Sequence, residues 1–571
     1  MRKQLFFAVS LVLGLFFSSC SKDLTALDPS LFTCSPNPLE VKGGKVDATI
    51  TGTFPVKYFN KKAVVTVTPV LKFAGKEIKG TPSVFQGEKV VGNDQAIPYK
   101  AGGTYTMKVS FDYTPEMIVS QLYLEFSIVT GKKTYQIPSV KVADGIIATS
   151  QLASTSSSSK SSDFSPIFIA DKFQRVLQEM QEADILFLIQ KSDIQKKELK
   201  SEDLLSLTKK IQEVKATQNK QVAGLEVSGY ASPDGGMDIN TNLAEKRQQV
   251  TVDYLNKELK KLKTSVTMNT KFTAEDWVGF QNLMENSNIQ DKQVILRVLS
   301  MYTDPEQRER EIKNLSVAFK SIAEEILPQL RRSKMKLTVD VTGKSDAELT
   351  KLAKEDASKL SVEELLFAAT LTTDLTEKAS IFQKVTEIYP SDVRGFNNLG
   401  GVNYQQGNID AASRYFGKAL EINPQSADIN FNAGIASLAK GNLDKSEVFF
   451  GKAAGTSGNL SQGLGTIYLI KGDYSKSKSY FGSIATNNAG LLQILNSDYS
   501  GARKTLAAVA QPDAMTAYLN AIVGARTNDR DVVYSSLKSA VKQDKSFGLK
   551  AQKDLEFSKF FAEPDFISIV K

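Results

Sequence analysis

The chain has 571 residues, 41% hydrophobic and 23% charged, a balance that suits several globular domains. It contains no histidine and 2 cysteines, which excludes imidazole acid–base catalysis, Ser-His-Asp chemistry, disulfide frameworks and thiolate zinc sites. The net charge of +8 is spread along the sequence and gives no concentrated basic patch of the kind nucleic-acid binding needs.

Arg2 and Lys3 precede an apolar run from Leu5 to Phe17, too short to span a bilayer comfortably, which is the build of a secretory signal peptide over residues 1–19. The run ends Phe17-Ser18-Ser19-Cys20, which resembles a bacterial lipobox. That resemblance implies that Cys20 is lipidated and becomes the new N-terminus, anchored to the outer membrane, since each buried CH2 contributes ~0.8 kcal/mol. Residues 20–35 would then be a lipidated tether. Ser21-Lys22-Asp23 partly resembles the surface-export signal of Bacteroidetes lipoproteins.

Residues 36–148 are predicted to be a β-sandwich of immunoglobulin-like size. Val46–Phe54, Lys62–Phe73, Thr104–Tyr113, Gln121–Thr130 and Lys133–Val142 are rich in β-branched and aromatic residues, with glycine turns between them. The serine-rich stretch that follows cannot bury a core, so residues 149–163 are expected to be a flexible linker.

Past the linker, helical periodicity predicts a helix over Asp171–Ala183 and a short apolar strand over Ile185–Ile189. A helix opened by Ser201, a strand over Leu225–Tyr230, a helix from Asn242 to Leu262 and a strand over Ser265–Thr270 complete an α/β order. A helical insertion over about 275–332 carries the single tryptophan, Trp277, and a strand over Met335–Val341 closes the sheet.

Gly229-Tyr230-Ala231-Ser232-Pro233-Asp234-Gly235, followed by Asn240, Leu243, Ala244, Arg247 and Val252-Asp253-Tyr254-Leu255, resembles the OmpA C-terminal, peptidoglycan-associated domain. The resemblance implies an OmpA-like domain over 164–345 and a peptidoglycan stem peptide as ligand. It also implies Arg247 as the cation that meets the ligand carboxylate. The family's turn aspartate is replaced by Ser232, and Asp234 stands two residues later as an alternative anion. Binding is therefore either retained through Asp234 or lost while the fold is kept.

The C-terminal third is periodic. Pro390 and Pro424, Gly400 and Gly434, Gly407 and Gly441, and Phe416 and Phe450 each lie 34 residues apart. This resembles tetratricopeptide repeats, expected over 361–571 with Val362–Tyr389 as the first helix pair. The resemblance implies an all-α solenoid whose concave groove takes a protein partner. Its lining would include Arg394, Asn397, Tyr404, Gln405, Asp428 and Phe431, a mixed surface suited to a peptide or helix.

No carboxylate pair sits in a glycosidase-like context and no phosphate loop is present. The expected molecule is a non-enzymatic envelope scaffold without cofactor or metal, on the periplasmic side of the outer membrane, serving secretion or membrane assembly. The alternative is a surface-exposed adhesion or fimbria-related lipoprotein without peptidoglycan binding. The expected architecture is multidomain: an all-β sandwich, a central α/β OmpA-like domain with a helical insertion, and an all-α solenoid.

Overall fold

The computed structural model describes residues 25–155, 164–314 and 316–571. The signal peptide, Cys20 and the 21–23 motif lie outside the described residues, as do residues 156–163 of the expected linker. The chain divides into two compact units. The described residues before 171, with residues 372–571, build one; the described residues of 171–371 build the other.

The first unit opens with strands β1 (Phe32–Ser35), β2 (Leu39–Lys42), β3 (Lys45–Phe54), β4 (Ala63–Phe73), β5 (Lys76–Lys79), β6 (Ser83–Gly87), β7 (Gln95–Ile97), β8 (Gly103–Asp112), β9 (Ser120–Thr130), β10 (Lys133–Asp144) and β11 (Ile146–Ile147). One sheet centres on β3, with β8 along one edge and β1 and β2 along the other; β11 joins β2 in parallel. The second runs β10-β9-β4-β6-β7, with β5 also on β4. Alternation makes the core: in β4, Ala63, Val65 and Val67 point inward while Val64, Thr66 and Thr68 are half-buried. Those residues meet Ile50, Phe54, Phe126 and Ile128 in one apolar cluster. Each such side chain contributes about 1.5–3 kcal/mol on burial.

The second unit contains strands β12 (Val176–Leu186), β13 (Lys220–Tyr230), β14 (Met268–Thr273) and β15 (Arg332–Thr342), in the order β12-β15-β13-β14. β14 is parallel to β13; β15 is antiparallel to both neighbours. Helices α1 (Glu202–Ala216) and α2 (Met237–Lys261) cover one face through Leu207, Ile211, Leu255 and Leu259, packed on Leu225, Val227, Leu337 and Val339. Gly229 lets α2 approach, because a Cβ there would collide with the Ala244 carbonyl.

The helix expected over Asp171–Ala183 is instead the edge strand β12. Leu177, Met180 and Ala183 imitate a helical stripe, but the first two are exposed at the open end of the sheet. The full-length ladder to β15 decides the conformation. The insertion forms helices α3 (Trp277–Glu285), α4 (Lys292–Met301), α5 (Pro305–Asn314), α6 (Ser316–Ser321) and α7 (Leu327–Leu330), which share a core of Phe280, Met284, Ile295, Ile326 and Leu330. Two capping boxes open α8 (Asp346–Glu355) and α9 (Val362–Ala368).

The expected first repeat pair is divided between the units. α9 stays with residues 171–371: Phe367 stacks on Phe173 at 4.5 Å and Glu364 pairs with Lys344 at 2.9 Å. The repeat array begins at α10 (Leu375–Ile388). Pairs follow as α11 (Val393–Gln405) with α12 (Ile409–Ile422), α13 (Ala427–Ala439) with α14 (Leu443–Gly451), α15 (Leu460–Ile470) with α16 (Tyr474–Phe481), α17 (Asn487–Leu495) with α18 (Tyr499–Ala507), and α19 (Ala514–Arg526) with α20 (Arg530–Gln543). Two short helices, α21 (Ser546–Ala551) and α22 (Pro564–Val570), close it. The 34-residue period has a packing cause. A Cβ on Gly434 would sit 2.5 Å from the Phe450 ring, and Gly400 faces Phe416 in the same way.

The expected linker is not a spacer in its described parts. Thr149, Ser150 and Leu152 are buried in a single 3-10 turn. Ser150 Oγ donates to the Val41 carbonyl of the sandwich at 2.7 Å, Thr149 donates to Glu556, and Leu152 joins the core of the last repeats. Residues 164–170, expected in the α/β domain, belong to the repeat-containing unit. The sandwich and the repeats, remote in sequence, therefore share one body.

Candidate functional site

The sequence points to two places as ligand sites. The first is the turn after β13. Arg247, on α2, is 1% exposed, and burial with Arg331 nearby lowers its pKa to about 10. Its fork is spent on main-chain acceptors: Nε donates to Lys191 O at 3.0 Å, and Nη1 and Nη2 donate to Tyr230 O at 2.8 Å and Leu188 O at 3.3 Å. Its guanidinium lies 5.4 Å from the centre of the Phe187 ring.

Ser232 is buried and donates to Asp234 at 2.5 Å. Arg331, at the end of the insertion, donates from Nε to Ser232 Oγ at 3.1 Å and from Nη2 to Asp234 Oδ2 at 3.0 Å. Next to it Arg332 reaches Asp276 Oδ2 at 3.0 Å, and Asp276 caps α3 through Gly279 N. The structure thus brings Ser232 and Asp234 together but gives them an internal cation from the insertion, a partner the turn motif did not announce. Arg247 faces carbonyls, not an open anion site.

The second place is the inner face of the repeats, and its occupant is this chain. Asn432 accepts from Ile167 N at 2.8 Å and donates to Ile167 O at 2.8 Å. Asn398 grips Ile169 identically, N–H at 2.8 Å and carbonyl at 2.9 Å. A third asparagine, Asn488, takes the N–H and C=O of Ser154 at 2.9 and 2.8 Å. One amide can hold both groups of a residue only when they point the same way, as in extended backbone. The N–H and C=O groups of 167 and 169 therefore face the ladder and those of 168 do not, so the missing N–H of Pro166 costs no ladder bond.

The ladder is internally saturated. Asn432 Nδ2 also donates to Asn397 Oδ1 at 2.8 Å, and Asn397 Nδ2 donates to Ile167 O at 2.9 Å and to Asn398 Oδ1 at 3.0 Å. All three side chains are buried. Phe164 is buried in the cluster of Tyr404, Phe416, Phe431 and Phe450, and Phe168 packs over Gly401 with its ring 6.4 Å from that of Phe382.

Of the residues expected to line this groove, Asn397 does touch the peptide in it. Tyr404 and Phe431 are core residues, 0% and 1% exposed, in the cluster that also takes Phe164 of the peptide. Arg394 is engaged by Asp392, at 2.8 Å from Nη2. Asp428 holds the following loop through Thr456 Oγ1 at 2.7 Å and Ser457 N at 3.0 Å. Gln405 is exposed. The main grips, Asn398, Asn432 and Asn488, were readable: each stands two residues before the helix-packing glycine, in Asn398-Leu399-Gly400, Asn432-Ala433-Gly434 and Asn488-Ala489-Gly490. The repeat between has Gly463 at that position and breaks the series.

Among the described residues no cluster of three or more acidic or cysteine side chains could hold a metal, and no helix is long and apolar enough to cross a membrane.

Residues 393–426 match the tetratricopeptide repeat family. A comparison with curated proteins finds no match. Among solved structures, the chain is similar to a tetratricopeptide repeat protein from Parabacteroides merdae, with 14% identity, 49% of this chain and 99% of that one covered, and a TM-score of 0.29. It is similar to YrrB, described as having an unusual peptide-binding site, at 22% identity, 31% and 99% coverage and a TM-score of 0.24. PilF of Pseudomonas aeruginosa aligns at 18% identity, 38% and 100% coverage and a TM-score of 0.28. With TM-scores this low, none of these likenesses bears on function.

Proposed function

We propose that the chain is a non-catalytic scaffold of the cell envelope, lipidated at Cys20, held on the periplasmic face of the outer membrane, and acting through protein–protein contacts of its repeat-containing unit. The observation that carries the reading is the asparagine ladder: the inner helices of successive repeats are built to hold polypeptide main chain.

We read the 171–371 unit as an OmpA-like domain whose ligand position is filled from within. A stem peptide would need an outward anion and an outward forked cation. Asp234 is paired with Arg331 and Arg247 is spent on carbonyls, which favours a retained fold without wall binding. Purified sacculi should therefore leave the wild-type protein in the supernatant. Depletion of wild type but not of Arg247→Ala would overturn this part.

The scaffold reading is tested in cells by palmitate labelling, protease access and cross-linking. The expected result is label lost in Cys20→Ser, repeats protected in intact cells, and protein adducts on the repeat-containing unit. Repeats digested from outside would favour the surface-exposed alternative instead.

A further inference from the structure

We infer that residues 164–170 are an intramolecular occupant of a peptide-binding groove, and that its intermolecular ligand is an extended apolar segment that takes their place. The inference deepens the scaffold reading by naming the groove and the chemistry of what enters it.

The argument rests on how the strap is held. Asn398 and Asn432 bind only N–H and C=O groups, which every residue but proline offers, so the grip itself does not depend on the strap's own sequence. Sequence enters at the side chains. Phe164 is buried in the apolar cluster that holds Phe431 and Phe450, and Phe168 lies over Gly401, where even an alanine methyl would come to 3.0 Å of its ring. The groove thus reads an extended strand with an aromatic residue, then apolar residues three to five positions later. Its backbone amides must be free where Ile167 and Ile169 sit. A partner carrying that pattern meets the same donors and acceptors, already oriented. What it must overcome is the high effective concentration of a strap on the same chain.

The test uses the full chain and a fluorescein-labelled peptide with the sequence of Phe164–Lys172, followed by fluorescence anisotropy. Changing Phe164→Ser, Ile167→Ser and Phe168→Ser together weakens the resident strap. This variant is expected to bind the peptide at least tenfold more tightly than wild type. Adding Asn398→Ala and Asn432→Ala should abolish the gain. A folded triple variant that binds no better than wild type would overturn the inference.

Should the triple variant fail to fold, hydrogen exchange of wild type decides. The Ile167 and Ile169 amides should exchange through a local opening, faster than the buried amides of α11 and α13. Exchange at the rate of those helices would mean that the strap leaves only on global unfolding, which also overturns the inference. Cross-linked partners that map to the repeats but away from the ladder would overturn this inference while leaving the scaffold reading intact.

Discussion

Asn432 makes three bonds with one side chain: two to Ile167 and one to Asn397. Asn432→Ala would strand the half-buried N–H of Ile167 and the Asn397 carbonyl oxygen. The expected loss is about 1–3 kcal/mol, read by urea denaturation. Gln405→Ala, at an exposed site in the preceding repeat, should stay within about 0.5 kcal/mol. A second residue-scale prediction concerns pH. Burial raises the Asp392 carboxyl, but the hydrogen bonds from the Arg394 side chain and amide outweigh it and hold the group below its ordinary value. A carboxyl lowered in the folded state stabilises above the unfolded pKa of about 3.9 and loses that contribution as pH falls through the folded value. Asp392→Asn should therefore be less stable than wild type at pH 7, and the gap should narrow toward pH 3. A gap constant with pH in denaturation series would refute the assignment. The arginine's role was hidden in the sequence, because a side chain on a groove helix can turn back to its own cap as easily as toward a ligand.

At the scale of elements, the glycine–aromatic pairs decide how closely helices of one repeat approach. Gly434→Ala places a methyl against the buried Phe450 ring and should cost about 1–3 kcal/mol in a chemical denaturation experiment. Gly417, on α12, has open space around its Cβ position, so Gly417→Ala in the same assay should be neutral to stabilising. These pairs were legible because they recur, and so were the five long sandwich strands, whose side chains alternate. β12 was not legible. Its partner β15 lies more than a hundred residues away, and a strand buried on so little of its length carries a weak period of two. The start of the expected linker was misjudged for a related reason. Composition describes what a segment can bury by itself, whereas Ser150 and Thr149 bond to Val41 and Glu556, supplied from elsewhere in the chain.

For the whole molecule, two compact units predict two cooperative transitions in calorimetry. Glu556 is the place to separate them. Its side chain is 3% exposed, is bridged by Arg526 at 2.6 Å, and accepts from Thr149 next to the sandwich. Removing it leaves the half-buried Arg526 guanidinium without its counter-ion. Glu556→Ala should therefore cost about 3–5 kcal/mol in the transition of the repeat-containing unit alone. Equal displacement of both transitions would show that the units melt as one. The sequence could not reveal this pairing, since neither Thr149 nor Glu556 belongs to a motif. The turn of Ser232 and Asp234 was readable as a site of interest, but its internal cation was not: Arg331 comes from the far end of an insertion that no spacing rule connects to it.

The discontinuous unit also has a history in time. A ribosome makes residues 164–170 long before it makes Asn398, Asn432 and Asn488, and chains emerge at about 5–20 residues per second. Ile167 and Ile169 must wait tens of seconds for their amide clasps, with the whole 171–371 unit synthesised in between. The strap is therefore already made when each of its clasping helices is completed, so no helix of the array needs to wait for its occupant.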